Sequence, residues 1–191
     1  MSGSYLTNPL VFLLQTAGGL YALVVMLRFL LQLCRADFYN PVSQFVVKVT
    51  TPVLRPLRQI VPRYQGLDLS SLVLAWLVKT LELAIVALLL GLDSNPLGAI
   101  LWAVPALVGL TINIYLFAIL IRVILSWVNP DPYNPINALL SSLTDPIMRP
   151  AQRLIPPVGG LDLSPIVVMV GLVLLEMLLL PPLNLVTGSP F

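Results

Sequence analysis

The chain of 191 residues contains no histidine. That removes the commonest metal ligand and the side chain best suited to proton transfer at neutral pH. It contains one cysteine, Cys34, which excludes an intramolecular disulfide framework and any Cys-x-x-Cys site. Charge is scarce as well. Ten Lys+Arg and eight Asp+Glu make up 9% of the residues, against about 25% in an ordinary soluble domain. A water-soluble fold of this size needs a larger charged shell. The net charge of +2 is too small to suggest nucleic-acid binding by charge alone, so none is expected. No Lys or Arg precedes the first apolar run (MSGSYLTNPL), and no A-x-A cleavage pattern marks it. The run reads as a retained helix and not as a signal peptide.

What fills the chain instead is apolar: 58% of residues, with a mean hydropathy of +0.97. A disordered chain would be poor in Leu, Ile, Val and Phe. The composition therefore points to an integral membrane protein.

The chain repeats itself. A shift of 94 residues lays Arg28 on Arg122, Asp37-Phe38-Tyr39-Asn40-Pro41 on Asp131-Pro132-Tyr133-Asn134-Pro135, and Pro52, Arg55, Pro56 and Pro62 on Pro146, Arg149, Pro150 and Pro156. Gly66-Leu67-Asp68-Leu69-Ser70 recurs at 160–164, and Glu82 falls on Glu176. Nineteen of the 55 positions from 28 to 82 are identical. Chance likeness between leucine-rich stretches would match leucines, not Asn-Pro, Arg-Pro and a lone Glu. The chain is thus a tandem duplication, 1–95 and 96–191.

Each half reads as span, amphipathic segment, span. The spans are expected at 11–34, 71–90, 105–128 and 165–180, since roughly 20 helical residues cross a hydrocarbon core about 30 Å thick. Pro181-Pro182 is expected to stop the fourth. Ser164-Pro165 reads as an N-cap with proline at the first helical position, and Ser70-Ser71 holds the same place in the first half. The expected fold is all-α: four spans as two like-oriented hairpins about a pseudo-two-fold along the membrane normal.

Between the spans, Asn40-Pro41 and Asn134-Pro135 each open a short helix. Val42, Phe45, Val46, Val49 and Val53 form one apolar stripe, and Ile136, Leu139, Leu140, Leu143 and Ile147 repeat its spacing. Too short and too polar on the other face to span, these arms are expected to lie in the headgroup plane, facing lipid or partners. Thr51-Pro52, Asp145-Pro146 and the Arg-Pro pairs are expected to break them. Lys and Arg sit in these arms (Arg35, Lys48, Arg55, Arg58, Arg63; Arg149, Arg153) and are missing from both termini and the 91–104 connection. The arms should face the cytoplasm, with both termini outside. Trp102 is expected as an interfacial anchor. Arg55, Arg58, Arg149 and Arg153 suit contact with anionic lipids.

Ionisable groups in a span each need an account. Glu82 and Glu176 fall near the midplane, and Arg28 and Arg122 about 9–10 Å inside the arm-side ends of their spans. Tyr21 and Tyr115 precede the arginines by seven residues on the same face. Two readings are open. One is a polar conduction pathway. The other is a pair of structural Arg–Glu clasps holding each hairpin, or Glu hydrogen-bonded within the bundle. Lys79, three residues before Glu82, is a further partner for it; Val173 stands at the matching place. Asp68 and Asp162 suit the positive ends of the following helices. Cys34 reads as a buried thiol. No nucleophile–base pair, phosphate loop or metal cluster is evident, and neither an enzyme nor a cofactor is expected. The expected partners are the bilayer, anionic lipid, and other membrane proteins or a second copy of the chain.

The run Asp37-Phe38-Tyr39-Asn40-Pro41-Val42-Ser43-Gln44-Phe45-Val46-Val47-Lys48-Val49-Thr50, followed by Pro52, Pro56-Leu57-Arg58 and Ile60-Val61-Pro62, resembles the YggT/YlmG family. Tyr133-Asn134-Pro135, Asp145-Pro146, Arg149-Pro150 and Pro156 fit its two-copy form. Likeness to the proteobacterial members implies an inner-membrane location. The resemblance also implies links to osmotic tolerance, cell division and nucleoid distribution and, through plastid relatives, to assembly of a haem on a cytochrome. The family supplies no catalytic residues to carry over. A chain without His and with one Cys offers no haem ligation of its own. The reading that follows is a non-enzymatic scaffold or assembly factor, with an oligomeric ion or osmolyte conduit as the alternative.

Overall fold

The computed structural model describes residues 3–61, 67–92, 97–128, 134–155 and 162–191. Pro62, Gly66, Asp131, Pro132, Tyr133, Pro156, Gly160 and Leu161, used in the repeat argument, and Arg63, used for orientation, lie outside the described residues. Among the described residues six helices follow in order: α1 (Gly3–Leu33), α2 (Pro41–Ile60), α3 (Leu69–Leu89), α4 (Gly98–Val128), α5 (Pro135–Leu154) and α6 (Ser164–Thr187). Helices α1, α3, α4 and α6 are long and apolar enough to cross a membrane. Each is apolar all round, as a helix with lipid on one side and protein on the other must be. The chain is a multi-pass membrane protein of two tandem units.

The two asparagine caps form as expected. Val42 N–H donates to Asn40 Oδ1 and Ile136 N–H to Asn134 Oδ1, each at 2.9 Å, with proline at the first helical position. The arms are not broken by their prolines. Helix α2 runs unbroken through Pro52 and Pro56, and α5 through Pro146 and Pro150. Each pair is four residues apart, so both missing N–H groups fall on one face, and all four prolines are exposed. The buried face keeps its ladder, reinforced where Thr50 and Thr144 hydroxyls donate to Val46 and Leu140 carbonyls at 2.7 Å.

Three further expectations need correction. Pro181 and Pro182 do not stop the last span: α6 continues to Thr187 and ends at Gly188, whose φ of 64° lets its N–H turn back to Asn184 O. At 24 residues it reaches about 36 Å and crosses unaided. Neither serine caps its helix as expected. Asp68 precedes α3, and Asp162 Oδ1 accepts the Ser164 N–H at 2.9 Å. Trp102 lies inside α4, 6% exposed, packed with Ala99 and Ala103 against Leu83 and Ala87 of α3. Its expected place in a loop presumed that α4 began at Pro105. Proline at that point is tolerated well inside a helix whose neighbours bury it.

Within each unit the spans pair, α1 with α3 and α4 with α6, and the units join through α3 and α4. Helix α2 lies across α1 and α3, and α5 across α4 and α6. Asn40 Nδ2 donates to Pro135 O at 2.5 Å, so both arms begin side by side at one end of the bundle, the elbow side. The main core is on that side: Val25, Leu30, Leu31, Leu54, Leu74, Ala75, Leu107, Ile114, Ala118, Leu139 and Leu143 are all buried together.

Candidate functional site

The arms are held by the same device in both halves. Arg28, 6% exposed near the elbow end of α1, donates through Nη1 to Thr50 Oγ1 at 2.5 Å, Thr51 Oγ1 at 3.1 Å and Val47 O at 3.3 Å. In the second half Arg122 Nη1 donates to Thr144 Oγ1 at 2.6 Å and Asp145 Oδ1 at 2.8 Å. Thr144 is the repeat of Thr50 and Asp145 that of Thr51. Both threonines are fully buried. In low-dielectric surroundings a fixed guanidinium needs such acceptors, and each charge-assisted bond holds the arm against its span.

A second fastening closes the far end of each arm. Arg58 Nε donates to Asp68 Oδ2 at 3.0 Å, and its Nη2 donates to the same oxygen. At the matching positions Gln152 Nε2 donates to Asp162 Oδ2 at 2.9 Å. Asp68 is 2% exposed. Burial pulls its carboxyl up, but the Arg58 hydrogen bonds and charge outweigh that and hold it below the usual carboxylate range. Arg58 is therefore a latch and not a free lipid contact. Arg55, Arg149 and Arg153 are exposed, and Arg149 pairs with Asp145 at 2.8 Å along α5.

The apolar stripes split in two. On α2 the face toward the bundle is Ser43, Val46, Thr50 and Leu54. Phe45, Val49 and Val53 point outward, and Val42 is half-buried. On α5 Leu139, Leu143, Thr144 and Met148 are buried, Leu140 is half-buried, and Ile136 is exposed. Val46, Leu139 and Leu143 are thus core residues and do not face lipid. A helix lying on a bundle has one side for protein and the next for membrane, and the stripe is wide enough to serve both.

The expected Arg–Glu clasps are replaced. With the arginines turned to the arms, Glu82 is held by Lys79, whose Nζ lies 2.9 and 3.0 Å from its two carboxylate oxygens. Glu82 is 7% exposed. It packs on Gly18 of α1 so closely that a Cβ there would come within 2.6 Å of Oε2. Glu176 sits across the bundle on α6, where Asn113 Nδ2 of α4 donates to it at 3.4 Å. Lys79, Asn113 and Glu176 line one cavity of about 370 Å³ between α3, α4, α6 and the C-terminal residues. The tyrosines do not join the arginines. Tyr21 Oη is buried with no hydrogen-bond partner among the described residues, and Tyr115 Oη stands 3.9 Å from Cys34 Sγ. Cys34 is half-buried and donates to Leu143 O of α5 at 3.7 Å.

Thr50 and Thr144 carry no charge, and the sequence places them only on the polar faces of the arms. Their identity across the 94-residue shift is the signal that marks them.

The CCB3/YggT family model matches residues 7–89 and again 101–183. An uncharacterised protein of Pseudomonas aeruginosa is 44% identical over 187 residues, covering 97% of this chain and 95% of that protein. The uncharacterised protein YggT of Escherichia coli K12 is 39% identical over 172 residues, covering 89% and 88%. A chloroplastic protein of Arabidopsis thaliana, YlmG homolog protein 2, is 44% identical over 55 residues, 29% of this chain and 22% of that one. No solved structure matches the chain. Two family units, each with its latched arm between two spans, place this chain in the CCB3/YggT family.

Proposed function

We propose that this protein is a non-enzymatic scaffold of the inner membrane, and that its two arms form a fixed cytoplasmic platform for lipid and partner proteins. The observation that carries this reading is the repeated double fastening: Arg28 to Thr50 and Arg58 to Asp68 in one half, Arg122 to Thr144 and Gln152 to Asp162 in the other. A helix that only skims a bilayer has no use for a buried guanidinium under it. One that presents a set surface does. That surface carries Phe45, Val49 and Val53 beside Lys48 and Arg55, all exposed, a pattern suited to anionic membrane and to a docking helix. The same bias of basic residues supports cytoplasmic arms and periplasmic termini. Osmotic tolerance and cell division are the processes in which we place such a scaffold.

The test replaces Phe45, Val49 and Val53 together with serine, leaving buried Val46 intact. Crosslinking from intact membranes should then lose the proteins captured by wild type, and growth under osmotic stress should fall to the level of the deletion. Full function and unchanged capture overturn the reading.

A conduit is the competing reading, and the cavity at Glu176 is what favours it. The apolar lining toward the elbow side weighs against it. Flux into liposomes through wild type, abolished by Glu82→Gln with Glu176→Gln, would establish it over the scaffold.

A further inference from the structure

We infer that the cavity between α3, α4 and α6 is a binding site for a small organic ammonium ion. The argument begins with a charge count. Lys79 and Glu176 are the ionisable side chains in its wall. Lys79 is already engaged by both oxygens of Glu82. One lysine therefore serves two carboxylates, and whichever it takes, one negative charge remains. The arginines of the spans are committed to the arms at the elbow end. Among the described residues, no Lys or Arg pairs with Glu176, whose hydrogen bond from Asn113 is a long 3.4 Å. An uncompensated carboxylate in a membrane span costs several kcal/mol, so the site favours a cation.

The walls decide which kind. A hard metal ion wants six or more oxygens close around it. Here the polar groups besides Lys79 and Glu176 are Asn113, Asn184 and Ser189, spread over about 370 Å³, and the rest of the lining is largely carbon. That volume is roughly ten times a water's share of liquid. Trp102 and Phe191 also line it, edge to face with centroids 6.0 Å apart; the indole is 6% exposed and the phenyl 43%, so Phe191 is the ring more open to a ligand and Trp102 packs behind it. Indole and phenyl faces attract alkylammonium groups, and Trp does so best. Glu176 supplies the counter-charge and the amides orient the ligand. Toward the elbow side the lining turns to carbon: a second cavity of about 610 Å³ shares Leu110 and Asn113 with this one but is otherwise walled by apolar side chains such as Leu31, Leu139 and Leu143, so a cation bound here meets no polar path onward. The ammonium can come from a free amine or from an ethanolamine lipid headgroup, and the two are separable.

The experiment uses the full chain, purified in detergent and in vesicles of phosphatidylglycerol with or without phosphatidylethanolamine. Ethylammonium or tetramethylammonium chloride is titrated against sodium chloride at equal ionic strength. Tryptophan fluorescence and thermal stability are followed. A saturable change with the ammonium salts and not with sodium is expected, weakened at least tenfold in Glu176→Gln. Glu82→Gln should weaken binding as much, although Glu82 does not line the cavity, because it frees Lys79 to neutralise Glu176. Adding Lys79→Met to Glu82→Gln removes that lysine and should restore binding, an outcome no general loss of structure mimics. Competition from phosphatidylethanolamine vesicles identifies the headgroup as occupant; its absence identifies the free amine. No saturable change in wild type, an equal change with sodium, or full binding in Glu176→Gln overturns the inference.

Discussion

The latch of the second arm can be measured through the chain's own cysteine. Cys34 is the single thiol, and its Sγ rests against the Leu143 carbonyl of α5. If α5 lifts from the bundle, the thiol opens to reagent. Arg122→Leu removes the bonds to Thr144 and Asp145. Two charge-assisted bonds set an upper range of about 3–6 kcal/mol. The side chains of Arg122 and Asp145 are 28% and 23% exposed, and Asp145 keeps Arg149. About 2 kcal/mol is the better figure, a factor of about 30 in the open population. When the arm recloses faster than the reagent reacts, the maleimide labelling rate of Cys34 rises by that same factor. Thr144→Val, which deletes one hydroxyl and keeps the shape, should raise it about fivefold. Arg149→Leu, which removes a surface partner 69% exposed, should change it less than twofold. The reasoning fails if Arg122→Leu, inserted and monodisperse, labels within twofold of wild type.

Other tests follow the same contacts. Arg58→Leu leaves the buried Asp68 carboxylate without its partner and should cost about 3 kcal/mol in detergent unfolding, while Asp68→Asn in that background recovers most of it. Because the Asp68 carboxyl is held below its usual value, its stabilisation is complete above about pH 4. It is lost as pH falls through the folded value, so wild type should lose thermal stability below about pH 4 more steeply than Asp68→Asn. Gly18→Ala drives a methyl into Glu82 and should destabilise by about 1–3 kcal/mol. Gly109→Ala meets the movable tip of Leu180 at 3.4 Å and should be nearly neutral in the same melt. Cysteines placed at Lys48 and Ser141, with Cys34 replaced, should label from the same side of the membrane, the cytoplasmic one; labelling of both from outside intact cells overturns the orientation.

Much of this architecture was legible in the residues. Duplication follows from matches at Asn-Pro, Arg-Pro and Gly-Leu-Asp-Leu-Ser, which helix-forming composition alone does not produce. Spans follow from apolar length, because an unsatisfied backbone in lipid leaves helix as the form available. Asn40 and Asn134 announced their caps because capping is local, settled within three residues. Apart from the serine caps, displaced by Asp68 and Asp162 two residues upstream, the misreadings concerned a choice among neighbours. Proline punctuates a soluble helix reliably, yet Pro52, Pro146 and Pro181 are absorbed where the freed carbonyls lie on an outer face. The stripe on α2 told which residues are apolar, and not that Val46 would meet protein while Phe45 met membrane.

The pairing of the charges was the decision left to the tertiary structure. By depth and sign, Arg28 and Glu82 suited each other, and spacing along the chain could say no more. Helical period fixes the direction in which a side chain leaves its own helix, but which helix stands there depends on how the elements rotate and pack. Packing turned the arginines to threonines on the arms, with Asp145 beside the second, gave Glu82 to the lysine one turn before it, and left Glu176 facing a cavity. The residue types and their repeat were set by the order of amino acids; their partners were set by the close approach of helices, through interactions that fade within a few ångströms.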